Sequence, residues 1–181
     1  RQRPSPVKLS MTILLAKVVA WALVQHPRLN SHLDGEMIRQ YANVNMGIAV
    51  ALEEGLIVPV LREVERKGMG QLATEWSELS QRARANQLKA PDLAEGTFTI
   101  SNLGMFGMDR FTAIINPPQV GILAVGATTQ RFVPDAQGQP VLRPICTFTL
   151  SVDHRVVDGA VAAQFMATLA EGLTEPTLLL M

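Results

Sequence analysis

The chain has 181 residues, of which 48% are hydrophobic, and its 16 basic side chains balance its 16 acidic ones. This composition predicts one mixed globular domain, and the lack of net charge gives no indication of a nucleic-acid or anionic-membrane partner. The longest apolar stretch, 13–24, contains Lys17 and is too short to cross a bilayer. Cys146, the single cysteine, is interpreted as a buried strand thiol, and without a partner for a disulfide it favours a reducing compartment.

Two helices are predicted in the first half of the chain. Residues 11–25 are almost wholly apolar after a potential N-cap, Ser10, and a His-Pro dipeptide ends this helix because the residue before proline disfavours helical geometry. A helix of that composition should be buried. The apolar residues of 70–88 recur at helical spacing against a charged face, which indicates an amphipathic helix on a sheet, with Trp76 used for packing.

Strand-like runs make up most of the remaining chain. Two of them, 43–51 and 56–61, flank a short turn and predict a hairpin in which Pro59, lacking an amide donor, lies at a strand edge or beside a bulge. Further strands are expected at 96–103, 120–125 and 145–152, with a loop near residue 91 and turns at 104–107, 114–118 and 135–140. A last helix is predicted for 158–172. Repeated strands with few helices favour an α+β sandwich over a doubly wound sheet.

A candidate active site lies at 151–160, where a strand is expected to end and a helix to begin. The segment reads Ser-Val-Asp-His-Arg-Val-Val-Asp-Gly-Ala and contains His154 and Asp158. A histidine can remove a proton near neutral pH, and an aspartate one helical turn later can brace the turn or cap the helix. By spacing alone, a solvated histidine, a capping aspartate and a turn glycine remain an alternative reading.

The whole segment resembles the His-Xaa-Xaa-Xaa-Asp-Gly signature of the dihydrolipoamide acyltransferases, the core components of 2-oxoacid dehydrogenase complexes. More distantly it resembles that of chloramphenicol acetyltransferase. Three other stretches are similar to the first family in the same order: Gly-Leu-Ile-Val-Pro-Val at 55–60, Gly-Thr-Phe-Thr-Ile-Ser-Asn-Leu-Gly-Met-Phe-Gly at 96–107, and Ile-Ile-Asn-Pro-Pro-Gln at 114–119. The resemblance spans nearly the whole chain and implies a chloramphenicol acetyltransferase-like, two-layer α+β sandwich of mixed β-sheet and helices.

By this resemblance, an acyl group moves from S-acyldihydrolipoamide, carried on a separate lipoyl domain, to the thiol of coenzyme A. His154 is expected to act as general base, and the hydroxyl of Ser101 to stabilise the oxyanion of the tetrahedral intermediate. Asp158 matches a family position that asparagine can also occupy, so we expect it to orient the site rather than to relay a proton. Asp153 and Arg155 are expected to form ion pairs that hold the histidine loop.

The other polar candidates are assigned lesser roles. His26 and His32 match no family motif and are interpreted as surface or structural residues. Asn116 and Gln119 either shape the substrate channel or satisfy the backbone around the Pro-Pro turn; the sequence leaves both possibilities open. Contacts to coenzyme A are not assigned, and no metal site is predicted.

The resemblance also implies an assembly. In this family, trimers build octahedral or icosahedral cores, and a histidine of one chain faces a serine of the next. Residues 1–181 correspond to the catalytic domain but are expected to lack its N-terminal strand and helix. The lipoyl domain is expected outside this chain. So is the small domain that binds the partner enzymes, a 2-oxoacid dehydrogenase and dihydrolipoamide dehydrogenase.

The identity of the acyl group follows from the form of the motifs. The stretches at 102–107 and 114–118 look most like the acetyltransferases of pyruvate dehydrogenase complexes, so acetyl is the expected group. Succinyl, branched-chain and acetoin-complex acyltransferases are the alternatives, as is a non-catalytic core scaffold, although such a protein has no need of the histidine. The expected location is the bacterial cytoplasm or the mitochondrial matrix.

Overall fold

The structure is a computed structural model that describes residues 9–53 and 55–180. The predicted turn between the first two strand runs includes Glu54, which lies outside the described residues. The described α-helices are α1 (Met11–Gln25), α2 (Met69–Arg84), α3 (Ala90–Leu93) and α4 (Gly159–Thr174), and two short 3-10 helices lie at Gly104–Phe106 and Pro176–Leu180. The described strands are β1 (Ser31–Asp34), β2 (Met37–Gln40), β3 (Met46–Ile48), β4 (Val50–Leu52), β5 (Gly55–Ile57), β6 (Val60–Leu61), β7 (Phe98–Asn102), β8 (Gly121–Pro134) and β9 (Pro140–Val152).

A mixed five-stranded sheet with the order β6-β3-β7-β8-β9 forms the centre of the fold. The inner strands β3, β7 and β8 are parallel, and the edge strands β6 and β9 are antiparallel to their neighbours. Helices α1 and α4 pack on each other and contribute to the main core, which includes the sheet residues Ile100, Leu123 and Val125. A smaller core on Ile122 and Ala124 is covered by the loop after β7. The predicted α+β sandwich of mixed sheet and helices is confirmed.

Helix α1 is buried on nearly all sides, as its composition predicted. Ser10 is its N-cap, with a side-chain oxygen that accepts from Ile13 N at 3.3 Å. The one cation of this helix, Lys17, is partly buried, and its Nζ donates to the carbonyls of Val64, Glu65 and Lys67 at 2.8–3.2 Å. Burial lowers the pKa of Lys17, and the charge of Glu65 opposes that shift.

The predicted hairpin is present but is divided into two short ladders. Strands β4 and β5 pair next to the turn, with Val50 opposite Ile57, whereas β3 and β6 pair within the main sheet. Pro59 lies between β5 and β6, and its carbonyl accepts from Ile48 N at 3.0 Å. The prediction that Pro59 avoids a mid-sheet position is confirmed, because β6 is an edge strand.

Three features differ from the sequence-based expectations. Residues 90–93 form the short helix α3 where only a loop was expected. The hairpin β1–β2 was not predicted, because its strands are short and β2 is exposed throughout. Strands β8 and β9 are much longer than the predicted runs: β8 continues to Pro134 and β9 begins at Pro140, and together they form a two-stranded ribbon.

None of the described helices has the length and hydropathy needed to cross a membrane.

Candidate active site

His154 lies in the turn between β9 and α4, as the sequence predicted. The amides of Val156 and Val157 both donate to the carbonyl of Asp153 at 3.0 Å, which closes the turn, and the Val156 and Val157 side chains are buried. The two buried valines fix the turn to the core, whereas the side chain of His154, just before them, is exposed to solvent. The turn therefore presents an imidazole outward on a fixed backbone.

The predicted ion pair beside the histidine is confirmed. Arg155 donates through its guanidinium to the Asp153 carboxylate, with a shortest distance of 2.7 Å, and its backbone N–H also donates to that carboxylate at 3.0 Å. The hydrogen bonds from Arg155 hold the pKa of Asp153 below its usual value. The Asp153 carboxylate is therefore bound by Arg155, and this ion pair stabilises the loop.

Asp158 is the N-cap of α4. Its side-chain oxygen accepts from Val161 N at 2.9 Å, and its own carbonyl accepts from Ala162 N at 3.0 Å. This geometry confirms the capping interpretation of the aspartate. Its part in orienting His154 stays a prediction.

Ser101 lies near the carboxyl end of β7 and is half-buried. It borders a cavity of about 270 Å³ whose other walls include Trp76, Leu103 and Phe106. Two hydrogen bonds hold the turn that follows β7: Asn102 Oδ1 accepts from the backbone N of residue 104 at 2.9 Å, and Leu103 N donates to Val125 O at 3.1 Å. Ser101 is therefore a hydroxyl at the wall of a mostly apolar slot.

Within one chain, Ser101 and His154 lie far apart. Ser101 is opposite Ala124 in the β7–β8 register, whereas Asp153 N donates to Val120 O at 2.8 Å. Four residues along β8 correspond to about 13 Å, and the two strand spacings from β7 to β9 add about 10 Å at right angles. The two backbones are thus separated by about 16 Å. Side chains of these lengths cannot close that gap to a hydrogen bond.

The remaining candidates have structural partners. Gln119 is buried and accepts from Thr99 Oγ1 at 2.6 Å, while the Asn116 carbonyl accepts from Gln119 N at 3.1 Å. Both residues also border a cavity of about 660 Å³, so the structure provides a basis for each of the two roles left open by the sequence. His32 Nε2 lies 2.8 Å from the carbonyl of residue 96, and its Nδ1 lies 2.9 Å from Tyr41 Oη.

His26 and Trp76 have the structural roles predicted for them, whereas Cys146 lies on a strand as predicted but is half-buried rather than buried. His26 Nε2 lies 2.8 Å from Thr168 Oγ1, and Trp76 packs against the main core. Cys146 is a half-buried thiol on β9 whose Sγ donates to the carbonyl of Gly126 at 3.3 Å. Burial raises the pKa of the Cys146 thiol, which disfavours the thiolate needed by a nucleophile.

Arg131 and Arg143 were not among the residues predicted from the sequence, and the β8–β9 register places them directly opposite each other. Neither residue belongs to a recognisable motif. Only the pairing of the two strands reveals their proximity.

The sequence of the chain matches a family model over its whole length. The model, which covers residues 1–181, describes the catalytic domain of the 2-oxoacid dehydrogenase acyltransferases. The fold and the histidine turn agree with this match, and the chain belongs to this acyltransferase family.

Curated relatives carry more specific names. The chain is 49% identical over 171 residues to the acetyltransferase component of the mitochondrial pyruvate dehydrogenase complex of Schizosaccharomyces pombe, covering 93% of this chain and 35% of the relative. It is 41% identical over 174 residues to the corresponding component from Rickettsia bellii, covering 96% of this chain and 41% of that protein. The chain therefore spans well under half the length of these relatives.

Solved structures agree with this relationship. The cubic core of a pyruvate dehydrogenase multienzyme complex superposes with a TM-score of 0.91 at 38% identity, over 97% of this chain and 72% of that one. The dihydrolipoamide acetyltransferase of Azotobacter vinelandii gives 0.91 at 37% identity, again over 97% of this chain and 72% of the other. Chloramphenicol acetyltransferase gives 0.57 at 16% identity, over 90% and 77%, which confirms the predicted fold class.

Proposed function

We propose that this domain transfers an acetyl group from S-acetyldihydrolipoamide to coenzyme A, as the core of a pyruvate dehydrogenase complex. The observation that carries the proposal is the exposed His154 on its closed turn, within a chain that belongs to the acyltransferase family. The relatives' names support acetyl as the acyl group. Succinyl and branched-chain transfer remain the alternatives to be tested.

In the proposed reaction, His154 removes the proton of the coenzyme A thiol. A thiol with a pKa of about 8.5 is mostly protonated at neutral pH, whereas the thiolate is the nucleophile. The thiolate attacks the thioester carbonyl, and Ser101 donates a hydrogen bond to the resulting oxyanion. As the intermediate collapses, the protonated His154 returns its proton to the departing dihydrolipoyl sulfur. Coenzyme A and the lipoyl group are substrates, the second supplied on a lipoyl domain outside this chain.

The separation of about 16 Å between Ser101 and His154 supports a site shared between two chains. A histidine base and an oxyanion donor must both reach one reacting thioester, so they have to come from different subunits. The homotrimer expected for the family supplies such a pair. A cubic core is the assembly of one solved relative, which supports a larger multimeric core for this protein too.

The catalytic roles have a parallel in the Azotobacter vinelandii relative. A serine, a histidine and an asparagine have been investigated in its catalytic mechanism, and the asparagine follows the histidine by four residues. Asp158 follows His154 at the same spacing. This parallel supports Asp158 as an orienting residue, since an asparagine cannot relay a proton as a carboxylate would.

The partners and location follow from the same proposal. The partner enzymes would be a 2-oxoacid dehydrogenase and dihydrolipoamide dehydrogenase, bound by other parts of the full-length protein. The relatives are mitochondrial in one case and bacterial in another, which supports the mitochondrial matrix or the bacterial cytoplasm.

The test is acetyl transfer from acetyl-coenzyme A to free dihydrolipoamide by the full-length protein. His154→Ala should reduce kcat by about 10²- to 10⁴-fold without loss of assembly, because a general base is removed from an exposed turn. Gln164→Ala, an exposed position on α4, is the matched control and should retain activity. Wild-type turnover in the histidine variant would refute the proposal. Turnover with succinyl-coenzyme A but not with acetyl-coenzyme A would identify succinyl as the acyl group instead.

A further inference from the structure

The β8–β9 hairpin carries a pair of arginines at an unfavourable position. Arg131 and Arg143 are directly opposite each other on the part of the ribbon that extends beyond β7, and both are exposed. Partners in a strand register point to the same face, so the two guanidinium groups share one surface. Like charges placed opposite each other destabilise a hairpin. The fold alone gives no reason for this pairing.

The neighbouring charges leave a positive excess on that surface. Arg131 forms an ion pair with Asp109, whereas no ion pair or hydrogen bond joins the Arg143 side chain to any residue of 9–53 or 55–180. One carboxylate therefore accompanies the two paired arginines, which leaves a net positive charge of one on this surface although the whole chain is neutral.

The base of this surface is held in a fixed position. Ala127 N donates to Met108 O at 2.7 Å, which ties the loop before Asp109 to the start of the ribbon. Gly126 allows this approach, because a Cβ at that position would overlap the carbonyl oxygen of Asp109. The arginines are thus mounted on a prearranged backbone, which lowers the entropic cost of binding a ligand.

The distance from the arginines to Ser101 matches one substrate of the proposed reaction. Arg143, the partner of Arg131, lies six residues along β9 from Thr149, which is opposite Ala124, the partner of Ser101; six residues of strand correspond to about 20 Å. The pantetheine arm of coenzyme A, from its sulfur to its first phosphorus, is about as long as four extended residues, about 14 Å. The second phosphate and the ribose 3′-phosphate lie beyond that point, within reach of flexible arginine side chains.

We propose that Arg143 and Arg131 bind the phosphate groups of coenzyme A while its thiol lies at Ser101. Guanidinium groups suit this task because their planar donors match phosphate oxygens and keep their charge at every physiological pH. The inference rests on the proposed function and adds contacts for its thiol substrate. The arginines bind a part of coenzyme A that does not react, so they contribute to KM more than to kcat.

The test combines a variant with shortened substrates. Transfer of acetyl from S-acetyldihydrolipoamide is measured in the full-length, assembled protein with coenzyme A, with dephospho-coenzyme A and with pantetheine as acceptors. Arg143→Gln should lower kcat/KM for coenzyme A at least about tenfold, the scale of a lost charge-assisted hydrogen bond, and leave pantetheine unchanged. Arg143→Lys keeps the charge, so its kcat/KM for coenzyme A should lie between those of the wild type and Arg143→Gln. Arg28→Gln, an exposed arginine elsewhere on the chain, is the control and should alter neither acceptor.

A binding measurement separates this inference from the proposed function. Adenosine 3′,5′-bisphosphate, which carries phosphate groups but no thiol, should bind the wild-type protein in calorimetry and bind Arg143→Gln at least about tenfold more weakly. An unchanged ratio of coenzyme A to pantetheine, together with unchanged binding of the bisphosphate, overturns the inference even if acetyl transfer is intact. Loss of assembly in Arg143→Gln, with unchanged bisphosphate binding, would also overturn it and assign the arginine to a contact between chains. Absence of transfer to every acceptor in the wild type would instead refute the proposed function.

Discussion

Two inactive variants should restore activity to each other if the site is shared between subunits. His154→Ala leaves Ser101 intact, and Ser101→Ala leaves His154 intact, so each variant lacks one half of the pair. Because about 16 Å separates the two residues within a chain, each site needs residues from two chains, and a trimer of either variant alone has no complete site. A mixed trimer contains an interface in which an intact histidine of one chain meets an intact serine of the next.

The size of the recovery follows from the geometry of a closed ring. With random assembly from equal amounts, about three quarters of the trimers contain both variants. In each mixed trimer, one interface of the three combines the two intact residues, whatever the order of the chains. About a quarter of the wild-type sites should therefore be active in the mixture. If both residues came from the same chain, the expected fraction would be zero.

The assay is co-refolding of differently tagged chains, followed by isolation of mixed trimers and measurement of acetyl transfer. Mass measurement of the tagged species establishes that mixing has occurred. Each variant refolded alone is the control and should stay at the background level. Mixed trimers that form but remain at that background would refute the shared site and require each chain to contain its own pair.

Three further predictions concern the scaffold of the site. Gly126→Ala should lower the free energy of unfolding by about 3 kcal/mol or more, because the added Cβ would overlap the carbonyl oxygen of Asp109. Gly70→Ala is the control: this position on α2 faces open space, so alanine should raise the free energy of unfolding by about 0.5–1 kcal/mol. Urea titrations measure both changes. Asp158→Ala should lose about 1 kcal/mol of capping energy and part of kcat, and Asp158→Asn should retain both, as thermal melts and transfer assays can measure. Cys146 should react with iodoacetamide more slowly in the folded chain than in urea. Because folding raises the pKa of the Cys146 thiol, the stability that the protonated thiol contributes is complete below the pKa of the unfolded chain and is lost as the pH rises through the pKa of the folded chain. A free energy of unfolding that does not fall over this alkaline range would contradict the prediction.

The sequence was sufficient for features that depend on neighbouring residues. The bounds of α1 are set by the Ser10 cap and the His-Pro dipeptide, and both act within one turn of the helix. The turn containing His154 is similarly local, because its closure and the α4 cap involve residues at most four positions apart. The motif around it therefore predicted the correct strand, turn and helix.

Tertiary pairing decided the features that the sequence could not indicate. The residues of β2 and of the outer ribbon are exposed and show no clear alternation, so they become strands only because a partner strand satisfies their backbone. The relation of Ser101 to His154 depends on β7 running parallel, and β9 antiparallel, to β8. That arrangement places the end of β7 and the end of β9 at opposite ends of the sheet. The motifs identify both residues, but only the strand directions determine that one chain cannot bring them together.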